Sequence, residues 1–213
     1  MQHEHEFEAA PGLPEPLPAG ERILWQGAPD WRLLAVHALH VRKVAVYFAA
    51  MMAVQALLLS AEGRPLLAPL ALSAVLAVLA LGLLALTAWL SARTTLYTVT
   101  TRRVVMRIGI VLTLSFNLPY KQIAGASLKS LGGQQGDIAL ALRGANRIAW
   151  LHLWPHARAW ELRKPQPTLR CLPDAEAVGR CIHEAWSAVN PGMAVQVGPA
   201  PQAVPLTLHT AAG

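Results

Sequence analysis

The sequence predicts an α+β membrane protein: a two-helix transmembrane hairpin, then an antiparallel β sandwich or barrel closed by a C-terminal amphipathic helix. Three observations carry this. Residues 44–61 and 65–92 hold no charge and are split only by Glu62-Gly63-Arg64. Past Ala92 the apolar period shortens to two, with glycine-rich turns between runs. Residues 175–189 return to helical spacing with a single apolar stripe.

Length decides the hairpin. At 1.5 Å per helical residue the two runs cover roughly 27 Å and roughly 42 Å, against a hydrocarbon core of about 30 Å. Tyr47 near the start of the first run suits an interfacial ring. A buried hairpin of a soluble protein would carry a polar stripe, and here only Gln55, Ser60, Ser73, Thr87 and Ser91 interrupt. The chain is 54% hydrophobic and 14% charged, where soluble domains carry roughly 25% charged residues. The spans are assigned to 44–61 and 66–92.

Ahead of the hairpin, residues 1–20 mix acids with Pro11, Pro14, Pro16 and Pro18, the composition of a flexible leader. With neither a basic start nor an apolar core, they predict no secretory signal. In 21–43, Asp30 is placed to cap a helix from Trp31. Trp31, Leu34, Ala35, Ala38 and Val41 share one helical face, which predicts an interfacial helix running into the first span. Trp25 suits either the headgroup zone or the face of the soluble domain.

After the hairpin, residues 103–108 alternate, with Val104, Met106 and Ile108 on one side. Ile110, Leu112, Leu114, Phe116 and Leu118 continue as a second run after Gly109. Shorter runs follow at 120–129, 137–143 and 147–153, with turn signals at Gly132-Gly133, Gly136 and Gly144-Ala145-Asn146. Asp174 can cap the last helix, whose stripe is Val178, Ile182, Ala185, Trp186 and Val189, and Pro191-Gly192 stops it. The soluble domain is placed at 94–189 and a disordered tail at 190–213.

Charge sets orientation. The net charge is +6, but residues 1–30 hold six carboxylates and one cation, while 93–189 hold thirteen Lys/Arg and five carboxylates. Arg32, Arg42 and Lys43 precede the first span and Arg93, Arg102, Arg103 and Arg107 follow the second, so both termini are expected in the cytoplasm with a tiny loop outside. A basic domain beside a bilayer faces anionic lipid more simply than nucleic acid. Cys171 and Cys181 form neither a disulfide framework nor a zinc spacing.

Two stretches carry a family resemblance. Tyr97-Thr98-Val99-Thr100-Thr101-Arg102-Arg103-Val104, with Gly109 and the later Leu118-Pro119-Tyr120-Lys121-Gln122-Ile123, resembles the bacterial PH-like domains found beside membrane hairpins. Upstream, Leu17-Pro18-Ala19-Gly20-Glu21, Leu24-Trp25-Gln26-Gly27-Ala28-Pro29-Asp30-Trp31 and Tyr47-Phe48 resemble the PuhB-type photosynthetic-complex assembly proteins of purple bacteria, encoded with the reaction-centre H subunit. The resemblance covers about residues 17–190 and implies a PH-like domain after the hairpin. It also implies a non-enzymatic, chaperone-like helper in building the reaction centre and core light-harvesting antenna. The family supplies no catalytic residues to carry over.

The residues themselves agree on the absence of catalysis. The chain has three Asp, no recognisable Ser-His or Cys-His arrangement, and no phosphate loop, HExxH or dinucleotide fingerprint. No metal or cofactor is expected. His37 and His40, three apart, could ligate the magnesium of a bacteriochlorophyll or a haem iron, but the simpler reading is polar residues at headgroup level. His152 and His156 flank Trp154-Pro155 and need not converge. Trp150, Trp154 and Trp160 divide between core packing and an interface among Arg147, Arg158, Arg163 and Lys164. Arg102, Arg103 and Arg107 read as juxtamembrane cations, worth roughly 1 kcal/mol each toward anionic lipid.

The candidate partner and lipid contacts are therefore Trp25, Trp31, Arg102, Arg103, Arg107, Trp154 and Arg158. Small residues such as Ala49, Ala50, Ala53, Gly82 and Ala85 would let the hairpin pack on helices of nascent photosynthetic subunits. The rival reading is a lipid-binding or envelope-stress PH-domain protein without photosynthetic partners; a pigment carrier using His37 and His40 is a third. Homo-oligomerisation is left open.

Overall fold

The computed structural model describes residues 13, 16–110, 112–143, 156 and 166–191. Extended chain begins before the hairpin, where the sequence indicated only a helix. Strand β1 (Ile23–Gly27) leads through Pro29 to a short helix, α1 (Trp31–Leu33), and a π-helical turn, Leu34–Ala38. Asp30 caps this segment as expected: its Oδ1 accepts from the backbone N–H groups of Arg32 and Leu33 at 2.7 and 3.2 Å. The helix does not run into the first span. His40 takes a left-handed conformation, φ 55°, which breaks the chain before α2 (Val41–Ala61) begins. The face carrying Leu34 and Ala35 is buried against protein, so the segment is held by packing on α3 and is no free interfacial helix.

Helices α2 and α3 (Leu67–Thr94) form the hairpin, joined through a turn at Glu62-Gly63. Both are long and apolar enough to cross a membrane, and only 6% of each apolar window is buried in the protein. A core helix of a soluble protein would be largely buried instead; Leu57, Leu67 and Val78 are 71%, 83% and 69% exposed. Several polar side chains on the helices find partners within the hairpin, while the buried Ser91 hydroxyl has none. Ser73 Oγ donates to Gln55 Oε1 at 2.8 Å between the helices, and Thr87 and Thr94 bond back to the Leu83 and Leu90 carbonyls.

Among the described residues the domain has two antiparallel sheets. One runs β1–β2 (Leu96–Thr100)–β3 (Arg103–Ile108)–β4 (Leu114–Pro119). The other runs β5 (Ile123–Gly132)–β6 (Gln135–Leu142)–β7 (Thr168–Leu172). Inward residues Tyr97, Val99, Val104, Met106, Ile138, Leu140 and Leu169 meet between them. Helix α4 (Ala175–Val189) closes the core with Val178, Ile182, Ala185 and Trp186, the stripe read from sequence. Its Trp186 Nε1–H donates to the Ile123 carbonyl at 3.0 Å.

Several expectations shift. β4 starts at Leu114, not Ile110, because Gly109 (φ +128°) turns the chain so tightly that the Leu112 carbonyl oxygen occupies the place of a Cβ. Gly136 is not a turn: it sits inside β6, where a Cβ would meet the Lys129 carbonyl at 2.8 Å and Ala175 at 2.9 Å. The Gly132-Gly133 turn holds, joining β5 to β6. Strand β7 had no sequence signal, and β1 places part of the domain ahead of the hairpin. Leu13 is buried, so the leader contributes at least one packed side chain. The run at 147–153 lies outside the described residues.

Candidate functional site

The hairpin is fed into the domain between two neighbouring strands. Gly27, the last residue of β1, pairs with Tyr97, and one residue separates α3 from β2. Both ends of the hairpin are therefore fixed to the same end of the four-stranded sheet. A small apolar cluster seals the junction: Leu34 and Ala35 from the π turn, Ala88 from α3 and Cys171 from β7. The Asp30 N–H donates to the Cys171 carbonyl at 2.9 Å, and the Cys171 N–H donates to Asp137 Oδ1 at 2.8 Å. Arg170 Nε lies 3.6 Å from Asp137 Oδ2. Cys171 adopts φ 53°, and burial, with the Asp137 charge beside it, pushes its thiol up to about 12. Such a thiol is protonated and unreactive at neutral pH.

A second buried network ties the exit of α3 to the sheet. His156 Nδ1 lies 2.6 Å from Tyr97 Oη, and its Nε2 lies 3.1 Å from Thr95 Oγ1. Tyr97 Oη also accepts the Arg170 N–H at 3.2 Å. The hydroxyl proton is then free to point at Nδ1, which places the imidazole proton on Nε2, donated to Thr95. Burial, with a smaller push from the Arg170 charge, lowers the His156 pKa to about 3. The ring is neutral at physiological pH.

The sequence-derived candidates fall at opposite ends of the sheet. At the hairpin end, Trp31 is 39% exposed with the Arg32 guanidinium 5.5 Å from its ring centroid. Trp89 on α3 is also 39% exposed, with Arg93 at 5.0 Å. Arg107 belongs to this end too, opposite Leu96. Arg102 and Arg103 lie at the far end of β2, roughly 15 Å along the strand from α3. Their reading as juxtamembrane cations is corrected by this register. Arg103 has a further occupation: its Nε and Nη2 donate to the buried Glu21 carboxylate at 2.8 and 3.0 Å, and Thr100 Oγ1 donates to it at 2.7 Å. Burial raises the Glu21 pKa, and the Arg103 and Thr100 bonds with the Arg103 and Arg102 charges outweigh it, leaving the pKa below its ordinary value.

Trp25 packs on the core, its ring folded over Gly27 where a Cβ would stand. His37 sits on the π turn and His40 at the left-handed break, so the regular helix that would have aligned them is absent. Burial lowers the His37 pKa despite the opposing Asp137 charge. Among the described residues no group of three or more His, Cys, Asp or Glu could hold a metal. Trp154 and Arg158 lie outside the described residues. Sequence reasoning missed Glu21, Trp89 and a groove of about 550 Å³ between β5 and α4, lined by Ile123, Ala126, Leu128, Ile138, Ile182 and Trp186. Of these, only the α4 stripe gave a sequence signal.

Among the described residues, two sheets of four and three strands closed by one helix, with a long apolar helical hairpin inserted behind the first strand, define a PH-like protein. The chain belongs to the bacterial PH domain family, whose model matches residues 44–186. It is 42% identical over 192 residues to the "Uncharacterized 23.7 kDa protein in puhA 5'region" of Rhodobacter capsulatus, covering 87% of this chain and 89% of that one. No solved structure matches it.

Proposed function

We propose that the protein is a two-span bacterial inner-membrane protein with cytoplasmic termini. In this reading it is a non-enzymatic assembly factor for the photosynthetic reaction centre and its core light-harvesting complex. The observation that carries the reading is the near full-length 42% identity to a protein encoded in the puhA 5' region, together with the upstream tryptophan motif. The exposed apolar flanks of α2 and α3 support membrane residence. The hairpin would meet the helices of nascent subunits, while the PH-like domain holds a cytoplasmic subunit or the lipid surface. No pigment is required, and His37 and His40 are polar groups at the junction.

The test is deletion of the gene in a photosynthetic host, with near-infrared absorption of its membranes compared with a complemented strain. Selective loss of reaction-centre and core-antenna bands, with pigment synthesis intact, is expected. Unchanged spectra and growth would refute the assembly role and favour a PH-domain protein acting on lipid or envelope stress. Purified protein carrying a bacteriochlorophyll absorption band that His37→Ala with His40→Ala abolishes would restore the pigment-carrier reading.

A further inference from the structure

The β3–β4 turn had no role in the reading above. Its residues were read from sequence as part of a strand, yet the structure takes them out of the sheet. Between Arg107 and Lys121 the chain carries no charge. Within that stretch Leu112 is 79% exposed, and Ile110 and Leu114 are each 39% exposed. An apolar loop presented to water is a marker of an interaction site.

Register shows where the loop points. β2 leaves α3 after a single residue, Thr95, and runs away from the hairpin toward Thr100. β3 returns in the opposite direction, and Arg107 stands opposite Leu96, the first residue of β2. Ile108 and its partner Leu114 are already one residue beyond that level, on the side of Thr95 and Thr94. Gly109, Ile110, Leu112 and Thr113 lie beyond this last pair. Neighbouring strands are about 4.8 Å apart, and β3 packs against α3. The exposed leucines therefore sit beside the mouth of the hairpin, at the level where α3 ends.

That level is marked independently. Trp31 and Trp89, each stacked with an arginine, stand where α1 and the last turns of α3 lie, as aromatic residues do at a bilayer boundary. Arg93, Arg42 and Lys43 flank the same ends of the two helices, and Arg107 precedes the turn. An apolar tip ringed by cations matches the boundary between acyl chains and anionic headgroups.

We propose that the β3–β4 turn is a third membrane contact: Ile110, Leu112 and Leu114 enter the lipid surface beside α3 and hold the four-stranded sheet at a fixed height on the bilayer. The inference rests on α2 and α3 spanning the membrane. It assigns the turn to lipid and not to a protein partner, because the register puts its apolar residues at the level where the apolar hairpin meets the cations Arg93 and Arg107.

The test uses the full chain in vesicles of equal parts phosphatidylethanolamine and phosphatidylglycerol. Cys181 is replaced by Ser, Cys171 being buried. One nitrobenzoxadiazole label is then placed at Leu112→Cys, at Leu76→Cys in the middle of α3, or at Lys121→Cys beyond the far end of β4. All three positions are exposed, so the substitutions leave the core intact. The Leu76 label is expected to be quenched by lipids spin-labelled deep in the acyl chain. The Leu112 label is expected to be quenched by lipids spin-labelled near the carbonyl, and by aqueous iodide severalfold less than the Lys121 label.

A Leu112 label quenched by iodide as strongly as the Lys121 label, with Leu76 still in lipid, overturns the inference alone and points to a protein partner. A Leu76 label open to iodide overturns the spanning reading, and the inference falls with it.

Discussion

The buried imidazole of His156 makes stability depend on pH in a direction and amount that can be worked out. In the folded protein its pKa is about 3, against an ordinary 6.5. The unfolded chain therefore takes up a proton below pH 6.5 that the folded chain refuses. Stability from this group is complete above about pH 6.5 and is lost progressively as pH falls toward 3, with a limiting slope of about 1.4 kcal/mol per pH unit. Between pH 7.5 and pH 5 the loss is about 2 kcal/mol, which for a protein of this size lowers Tm by about 4–8 °C. His156→Gln supplies an amide that accepts from Tyr97 and donates to Thr95 without titrating. The assay is thermal unfolding in detergent, followed by circular dichroism at both pH values for both proteins. The wild-type protein should lose about 2 kcal/mol more than the variant on acidification. His37, whose pKa is also lowered by burial, contributes the same sign to both proteins and cancels in the comparison. Equal pH dependence in the two would refute the neutral buried imidazole.

Three further outcomes follow from the geometry. Glu21→Gln removes two charged hydrogen bonds from Arg103 and should cost about 2 kcal/mol at pH 7. Because its pKa is lowered on folding, Glu21 stabilises fully above its ordinary 4.5 and loses that contribution as pH falls through the folded value; a variant whose unfolding curve matches wild type at pH 7 would show the clamp to be idle. Gly27→Ala should cost about 1–3 kcal/mol by displacing the Trp25 ring, yet cost little in a Trp25→Ala background; the same loss in both backgrounds would locate the strain elsewhere. A maleimide should modify Cys181 in the folded protein but Cys171 only after unfolding, as mass spectrometry of tryptic peptides can show, and comparable rates at both would contradict the burial of Cys171.

What was legible in the sequence is what local pattern alone can encode. The hairpin reads from uncharged length, β3 from the alternation of Val104, Met106 and Ile108, and α4 from Val178, Ile182, Ala185 and Trp186. What was not legible depends on partners distant in the chain. Ile23–Gly27 reads as a strand only when β2 is beside it, and β2 comes after the hairpin. Arg103 looked like a membrane cation because its carboxylate, Glu21, lies 82 positions away, on the other side of the hairpin. His156 and Tyr97 bond across 59 positions. The π turn and the left-handed His40 follow from burying Leu34 and Ala35 against α3, a tertiary demand that overrides a regular helical pattern. Arg102, Arg103 and Arg107 are close in sequence, but the extended length of β3 puts Arg102 and Arg103 at one end of the sheet and Arg107 at the other.

The position of the hairpin within the sheet also imposes an order of assembly. On the ribosome β1 emerges first, and its partner β2 emerges only after both helices have been made. Until α2 and α3 stand side by side, Gly27 and Tyr97 have no means of meeting, and β1 remains an unpaired edge. Once the helices pair, the long loop between β1 and β2 closes through a rigid hairpin, so sheet formation bears little of the entropy of closing a flexible chain. Completion of the sheet thus registers that the hairpin has formed: a chain with a misplaced helix displays a bare strand in place of a finished domain.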